Sequence, residues 1–156
     1  MFRKYLYVFL ISMVPIVELR GAIPIAQGME LNTYVALWVC VLGNMLPVPF
    51  IYFFARRILN WGAQRRFIGK FCRFCLAKGE RAGQKMTKNG RGGLFIGLLL
   101  FVGLPIPGTG AWTGTLGASF LDMGFKHTVL SVCLGVILAG VIMTVVSMLG
   151  LHIFGL

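Results

Sequence analysis

Residues 103–114 read GLPIPGTGAWTG and lie at the centre of an apolar stretch that runs without a charge from residue 93 to residue 121. Each proline removes a backbone hydrogen-bond donor, and each glycine weakens a helix by about 1 kcal/mol relative to alanine. A continuous helix through this sequence is therefore unfavourable. We expect two short helices that meet at a bend.

A second apolar stretch, residues 5–28, has the same character. It carries Glu18 and Arg20 at its centre, between Pro15 and Pro24. Non-helical backbone at membrane depth is tolerated only where protein or water covers it. We therefore predict that both stretches are re-entrant hairpins, or broken helices, that line a cavity, and that the first is broken between its two prolines.

The composition indicates that lipid and not water surrounds these stretches. Of the 156 residues, 58% are hydrophobic and 12% are charged, and the mean hydropathy is +0.85. Soluble domains contain about 25% charged residues, and a soluble fold of this size does not bury so large an apolar excess. The composition predicts one integral membrane domain, and it excludes a secreted disulfide scaffold, a cytosolic enzyme domain and a nucleic-acid-binding module.

Two further apolar stretches are long enough to cross a bilayer as helices, which takes about 20 residues. The first, residues 33–54, is uncharged and contains Pro47 and Pro49, and the second, residues 128–156, contains only His152 as an ionisable group. Each follows one of the broken hairpins. The expected fold is an all-α integral membrane protein, an inverted repeat of broken hairpin plus transmembrane helix, with halves at residues 1–55 and 93–156.

A basic segment, residues 56–92, joins the two halves. It holds eleven of the fifteen Lys and Arg residues, with Glu80 as its only acid. Such a block marks a cytoplasmic loop, and apolar residues spaced three or four apart among the cations predict an amphipathic helix on anionic membrane lipids. Cys72 and Cys75 form a C-x-x-C without a second pair to complete a zinc site. No metal, cofactor or nucleic-acid partner is expected.

The orientation of the two hairpins leaves an alternative open. If the first hairpin enters from outside and the second from the cytoplasm, the halves have opposite topology, as in many secondary transporters. This arrangement leaves Arg3 and Lys4 outside. Four complete spans with both termini inside obey the charge rule better but bury Glu18 without an obvious cavity.

Glu18 is the only acid within an apolar stretch. A charge at the bilayer centre costs at least about 2.5–3.5 kcal/mol, so such residues face a cavity and mark a substrate or proton path. Two hypotheses follow. Either Glu18 and Arg20 form a structural pair that fixes the hairpin tip, or Glu18 carries protons beside an arginine that binds an anionic substrate.

The second tip supplies further candidates for substrate or ion binding, which are Pro107, Gly108, Thr109, Gly110 and Trp112. We expect the backbone amides of residues 108–110 at the start of a half-helix, with Thr109 as its N-cap, because helix starts bind anions such as phosphate. Trp112 either stacks on a ligand or packs. The repeat predicts that the two tips meet near the membrane midplane and form one polar site.

The motifs PIVELRGAIPIA at residues 15–26 and LPIPGTGAWTGTLGA at residues 104–118 together resemble the small multidrug export protein family of bacterial membrane proteins. The resemblance implies a multi-pass protein of the bacterial inner membrane. That family is similar in turn to the DedA superfamily, whose members carry two opposed re-entrant hairpins and are associated with proton-coupled lipid flipping, including that of undecaprenyl phosphate.

The chain matches the DedA superfamily in the type of residue at a few positions. Glu18 and Arg20 match its acidic and basic membrane residues, and Pro107 with Gly108 matches a Pro-Gly tip. Its second intramembrane acid has no counterpart in this chain. An arginine just before the second tip is also absent, since residues 102–104 are Val-Gly-Leu.

These observations favour a small secondary transporter that works as a homodimer, because so short a chain offers few helices to enclose a path. A multidrug exporter would use Glu18 as a cation-binding and proton-binding carboxylate, with aromatic walls such as Trp38 and Trp112. A lipid-phosphate flippase would use Arg20 and the tip amides for the headgroup. The alternative is a non-transporting membrane scaffold or assembly factor. An enzyme is not expected, since the chain has no Walker motif and no HExxH motif.

Overall fold

A computed structural model describes residues 2–64, 91–106 and 109–154 of the protein. Those residues contain helices and no strand, which confirms the all-α prediction. The helices are α1 (Phe2–Ser12), α2 (Glu18–Gly28), α3 (Thr33–Met45), α4 (Pro47–Ala63), α5 (Arg91–Gly103), α6 (Ala111–Phe120) and α7 (Phe125–Phe154).

The helices α1 and α2 form the first hairpin, closed by residues 13–17, which we call the first break. Its open end is tied by Lys4, whose Nζ donates to the Met29 carbonyl at 3.1 Å. The prediction that the break extends to Pro24 is wrong, because Pro24 lies inside α2. The missing N–H of Pro24 leaves the Arg20 carbonyl without its helical partner, but packing of α2 against α1, α3 and α7 keeps the helix intact.

The helices α5 and α6 form the second hairpin, and the described residues between them, 104–106 and 109–110, are called the second break. The predicted bend in this stretch is therefore present, and it occurs between Gly103 and Ala111. Near the closed end, Gly114 packs so closely on Val102 that an added Cβ would lie 2.5 Å from its Cγ2 atom. Towards the open end, Leu94 lines the same cavity as Leu121 and Met123. The two helices thus run antiparallel.

Two long apolar stretches complete the fold. The helices α3 and α4 follow each other with only Leu46 between them, and Pro47 stands at the first position of α4, where a missing N–H is tolerated. Residues Thr33–Ile58 and Phe125–Gly150 are each long and apolar enough to cross a membrane. This confirms the two long apolar helices predicted from residues 33–54 and 128–156, with α7 beginning three residues earlier.

The contacts of α7 show where the other helices lie relative to it. Its first half runs parallel to α5: the Ser131 hydroxyl donates to the Phe95 carbonyl at 2.6 Å, and a Cβ on Gly135 would lie 2.8 Å from the Leu99 carbonyl oxygen. Further along, Gly140 packs on Leu19 of α2 and Leu37 of α3.

The far half of α7 belongs to the first hairpin. Met148 lies beside Tyr5 and Tyr34, close to the open end of that hairpin. The two hairpins therefore lie along successive halves of α7, and their closed ends face each other at its middle, between Leu138 and Gly140.

The turn between α6 and α7 is docked on α4. Arg56 pairs with Asp122 at 2.6 Å, and the Tyr52 hydroxyl donates to the Met123 carbonyl at 2.5 Å. The open end of the second hairpin thus lies beside the end of α4 that carries Arg56. Most of the predicted basic segment, residues 65–90 with Cys72 and Cys75, lies outside the described residues, and its first residues belong to α4.

Candidate functional site

The candidate site lies where the closed ends of the two hairpins meet. Three side chains cross from one hairpin to the other: Glu18 and Arg20 come from the first turn of α2, and Trp112 comes from the first turn of α6. Each of them bonds to backbone groups at or next to the ends of the broken helices. The site is therefore built from helix ends as much as from side chains.

Glu18 binds the start of α6. Its side chain is buried, and its Oε1 accepts a hydrogen bond from the backbone N–H of Trp112 at 3.3 Å. The carboxylate lies directly against Gly110, in the space that a Cβ would occupy. Since φ and ψ of Gly110 are −138° and −171°, an extended conformation open to any residue, close approach and not backbone freedom requires glycine here. A negative charge at this helix start is favoured by the helix dipole.

The backbone of Glu18 is strained. Its φ is 50°, in the left-handed region, which costs a residue with a side chain about 1–2 kcal/mol. The N–H of Glu18 donates to the Val14 carbonyl at 2.8 Å, which holds the turn before α2. Strained residues concentrate at functional sites, where the surrounding structure over-determines them. A buried carboxylate in this conformation is a candidate functional group.

Arg20 binds the end of α5 and the second break. Its Nη2 donates to the carbonyl of Leu104 at 2.9 Å and to that of Val102 at 3.3 Å, while its Nη1 donates to the carbonyl of Ile106. It also donates to the Thr109 hydroxyl at 3.1 Å. A guanidinium has five donors and no acceptor, and a cation is favoured at a helix carboxyl end, so Arg20 suits this position on both counts.

Trp112 completes the exchange in the opposite direction. Its indole Nε1 donates to the carbonyl of Met13 in the first break at 3.1 Å. Each break is therefore bonded by side chains of the other hairpin. The two hairpins cap each other, and the second break also bonds its own Leu104 and Ile106 carbonyls through Thr109.

The prediction that Thr109 is the N-cap of the second half-helix is wrong. The cap position belongs to Gly110, whose N–H donates to the Thr113 hydroxyl at 2.9 Å. Thr109 instead donates to the carbonyls of Leu104 and Ile106, at 3.1 and 2.9 Å. The reason is that the Arg20 guanidinium donates to these two carbonyls and to the Thr109 hydroxyl, which places the hydroxyl beside the carbonyls.

The predicted site residues fall into two groups. The structure brings together Glu18, Arg20, Thr109, Gly110 and Trp112, although 94 positions separate Glu18 from Trp112 in sequence. Pro107 and Gly108 lie outside the described residues. Glu18 and Arg20 bond to the second hairpin and not to each other, which differs from the mutual pair that we considered.

The expected anion site at the second tip also differs from the prediction. The N–H of Thr109 donates to the Ile106 carbonyl at 3.2 Å, and the N–H of Gly110 is engaged by Thr113. The amide of Trp112 faces Glu18. The protein's own carboxylate thus occupies the start of α6. Within the described ranges there is also no cluster of three or more side chains suited to a metal ion.

Sequence reasoning missed a cavity of about 280 Å³ between α5 and α6. Its lining is apolar and includes Gly97, Gly114 and Gly117, and a Cβ added at Gly97 or Gly117 would meet no atom within 4 Å. The spacing of Gly114 and Gly117, three apart on one helix, was a signal in the sequence. It was indistinguishable from glycines that serve close helix packing.

Comparison with known proteins identifies a family. The family described as "Putative small multi-drug export protein" matches residues 18–142, a range that begins at Glu18 within the first motif and contains the whole of the second. This confirms the family resemblance drawn from those motifs. No curated protein and no solved structure matches the chain.

Proposed function

The chain belongs to the small multi-drug export protein family, and on this premise we propose that it is an integral membrane secondary transporter that exports small molecules. We further propose that it is a multi-pass protein of the bacterial inner membrane and acts as a homodimer. Its partners would be membrane lipids, a small-molecule substrate and protons, with no nucleic acid and no enzymatic step.

The proposed membrane topology is supported by helix length. A helix rises 1.5 Å per residue, so the 13 residues of α5 and the 10 of α6 extend about 20 and 15 Å. The hydrocarbon core is about 30 Å thick. We propose that both hairpins are re-entrant, that they enter from opposite faces along α7, and that each half is one unit of an inverted repeat.

The outer surface supports a lipid environment. Large apolar side chains stand exposed along the long helices, including Trp38 at 57%, Phe50 at 71% and Phe54 at 66% exposed. An exposed apolar surface of this extent is unfavourable in water. In a bilayer it is the expected outer face.

The observation that carries the proposed mechanism is the bond between Glu18 and the start of α6. Hydrogen bonds to an ionised acceptor are about twice as strong as neutral ones, so proton uptake by Glu18 weakens its hold on the Trp112 amide. The charged group that acts on Glu18 from the same helix is Arg20. Protonation, or a substrate cation drawn to the carboxylate, would then loosen one hairpin from the other and open a path between them.

Replacement of Glu18 by glutamine tests this mechanism. Glu18→Gln keeps the size of the side chain and removes its charge, so we expect proton-driven efflux of ethidium from inverted vesicles to be lost while the protein stays folded in the membrane. The matched control is Glu30→Gln, because Glu30 is an exposed acid with a similar φ of 58° that lies at the open end of the first hairpin. Efflux in Glu18→Gln equal to that in Glu30→Gln would contradict the mechanism.

The lipid-phosphate flippase has weaker support. It needs donors that are free to bind an anionic headgroup, whereas Arg20 donates to three carbonyls and a hydroxyl and the α6 start holds Glu18. The scaffold alternative predicts that vesicles with and without the protein extrude ethidium equally. The same assay therefore separates both alternatives from the exporter.

A further inference from the structure

A buried amide near the end of α3 carries an acceptor that no other group in the described part of the chain binds. Asn44 is 3% exposed, and its Oδ1 has no hydrogen-bond partner among the described residues. Buried polar atoms nearly always have a partner, so this oxygen calls for an explanation. Because an amide oxygen only accepts hydrogen bonds, the partner that Asn44 requires is a donor.

Asn44 lies beside the first break. A Cβ on the preceding residue, Gly43, would meet the hydroxyl of Ser12, the last residue of α1. The residue after Ser12 is Met13, whose carbonyl accepts the hydrogen bond from the Trp112 indole. The end of α3 is therefore packed against the part of the first break that contacts α6.

The contacts of α4 give the register between this helix and α6. The Ser119 hydroxyl donates to the Tyr52 carbonyl at 3.3 Å. Further along both helices Arg56 pairs with Asp122, so α4 and α6 run parallel. Leu46, between α3 and α4, has helical φ and ψ of −60° and −43°, so the chain passes from α3 into α4 without a turn. Positions can therefore be counted back along both helices from the contact at Ser119.

This count places Asn44 level with the carboxylate of Glu18. Asn44 stands eight residues before Tyr52, and Ala111 stands eight residues before Ser119, which is about 12 Å along each helix. The backbone N–H of Ala111 bonds to the Glu18 carboxylate. Asn44 and Glu18 therefore lie at one level near the start of α6, on the helices α3 and α2, which contact each other.

The polar side chains around this level do not supply the donor for Asn44. They donate to backbone carbonyls instead, as Ser12, Arg20, Trp112 and Thr115 do. Glu18 differs from them because its donors change with pH. An ionised carboxylate only accepts hydrogen bonds, whereas a protonated carboxyl group has one O–H donor. Proton uptake by Glu18 thus creates a buried donor at the level of an unpartnered acceptor.

We propose that Asn44 is a positioning residue for the proton on Glu18, and that its Oδ1 accepts the hydrogen bond of the protonated carboxyl group. The inference rests on the proposed function, in which proton uptake loosens Glu18 from the Trp112 amide, and it names the residue that binds the carboxyl group afterwards. The proton comes from solvent and adds to a carboxylate oxygen, and no other covalent bond changes. The carboxyl group thereby exchanges a partner on α6 for one on α3.

Few other ionisable groups of the described residues lie near this pair. Arg20 acts on Glu18 from the same helix, Cys40 lies one turn before Asn44, and Cys133 lies on α7. Helix α6 has none, and those of the other packed helices lie towards the helix ends remote from the breaks, at residues 3–7, 34, 52–57, 91, 126–127 and 152. Arginine stays charged and thiols lose protons at alkaline pH, so proton uptake in acid at this level belongs to Glu18.

Infrared titration of the purified protein in detergent tests the proposal without a transport assay. The part of the carboxylic-acid carbonyl band that Glu18→Gln lacks belongs to Glu18, and its growth is followed as the pH falls. Asn44→Leu keeps a branched side chain and removes the acceptor, so the protonated carboxyl group loses its partner. We expect the midpoint to move at least one pH unit lower, which is at least tenfold weaker proton binding.

The matched control is Gln27→Leu. Gln27 is a second amide whose Nε2 and Oε1 are buried without a partner in the described residues, and it stands nine residues after Glu18, about 14 Å along α2. Its replacement should leave the Glu18 midpoint unchanged. Asn44→Ala removes the same acceptor with a smaller side chain and should repeat the shift. Gel filtration and thermal unfolding establish that each variant is folded.

The outcomes separate this proposal from the proposed function. A Glu18 midpoint in Asn44→Leu and Asn44→Ala equal to that in Gln27→Leu would overturn the role of Asn44, even where Glu18→Gln abolishes ethidium efflux. Absence of ethidium efflux by the wild-type protein would overturn the proposed function instead, and a midpoint that moves as expected would still assign the Glu18 proton to Asn44.

Discussion

At the scale of single residues, the two charged side chains of the first apolar stretch cap helices of the second hairpin. The sequence alone singled out Glu18 and Arg20, because charges in an apolar stretch are expensive and need partners. Which partners they have was beyond sequence reasoning. The answer depends on where α5 ends and on how the two hairpins align, and both are tertiary properties.

Replacement of Arg20 should destabilise the protein. Arg20→Ala removes the donor to the carbonyl of Val102, a buried residue at the end of α5, whereas the Leu104 and Ile106 carbonyls keep the Thr109 hydroxyl as a donor. An unsatisfied buried polar group costs about 1–3 kcal/mol, so we expect a clearly lower thermal unfolding temperature in detergent. The control is Lys126→Ala, which removes an exposed cation. Equal unfolding temperatures of the two variants would show that Arg20 does not cap α5.

Addition of one methyl group at Gly110 should remove the function of Glu18 without changing Glu18. The Cβ of Gly110→Ala occupies the position of the carboxylate and displaces it from the Trp112 amide. We expect ethidium efflux to fall as far as in Glu18→Gln. Gly28→Ala, where an added Cβ meets nothing within 4 Å, should keep wild-type efflux. Full efflux by Gly110→Ala would argue against the contact.

At the scale of elements, proline and glycine predicted where the hairpins break, and contacts between elements decided the boundaries. Pro24 was expected in the first break but lies inside α2, which three other helices hold in place. Thr109 was expected as an N-cap, but its hydroxyl donates to the Leu104 and Ile106 carbonyls, which Arg20 also binds. The helix propensity of a single residue is weak compared with such contacts between elements. The cavity between α5 and α6 was missed for a related reason, since an open glycine and a packed one look alike in sequence.

Replacement of Gly135 by alanine and replacement of Gly97 by alanine should change the stability of the protein in opposite directions. A Cβ on Gly135 of α7 would lie 2.8 Å from both the Leu99 carbonyl oxygen and the Val102 Cβ, so Gly135→Ala pushes α7 away from α5. We expect a loss of about 1–3 kcal/mol from this overpacking. Gly97→Ala meets no atom and should gain up to about 1 kcal/mol through helix propensity. Thermal unfolding in detergent compares them, and equal unfolding temperatures would contradict the described α5–α7 contact.

At the scale of the whole molecule, the arrangement explains why polar groups can lie at the centre of so apolar a chain. In the proposed bilayer, each break alone would expose polar backbone groups to hydrocarbon, at several kcal/mol for each unsatisfied group. Opposed breaks satisfy those groups reciprocally through Glu18, Arg20 and Trp112. The sequence predicted two tips that meet. It did not distinguish re-entrant hairpins from four complete spans, because apolar length and charge placement fit both.

The central claim, two hairpins that enter the membrane from opposite faces, is tested most directly by thiol labelling in intact cells. Single cysteines replace Lys4, Glu30, Gly93 and Lys126 in a chain whose four native cysteines are removed, and an impermeant maleimide is added from outside. All four positions are exposed in the structure. We expect Lys4→Cys and Glu30→Cys to be labelled, and Gly93→Cys and Lys126→Cys to be labelled only after the membrane is permeabilised. Four complete spans would place the members of each pair on opposite sides, so labelling that splits either pair would contradict the account.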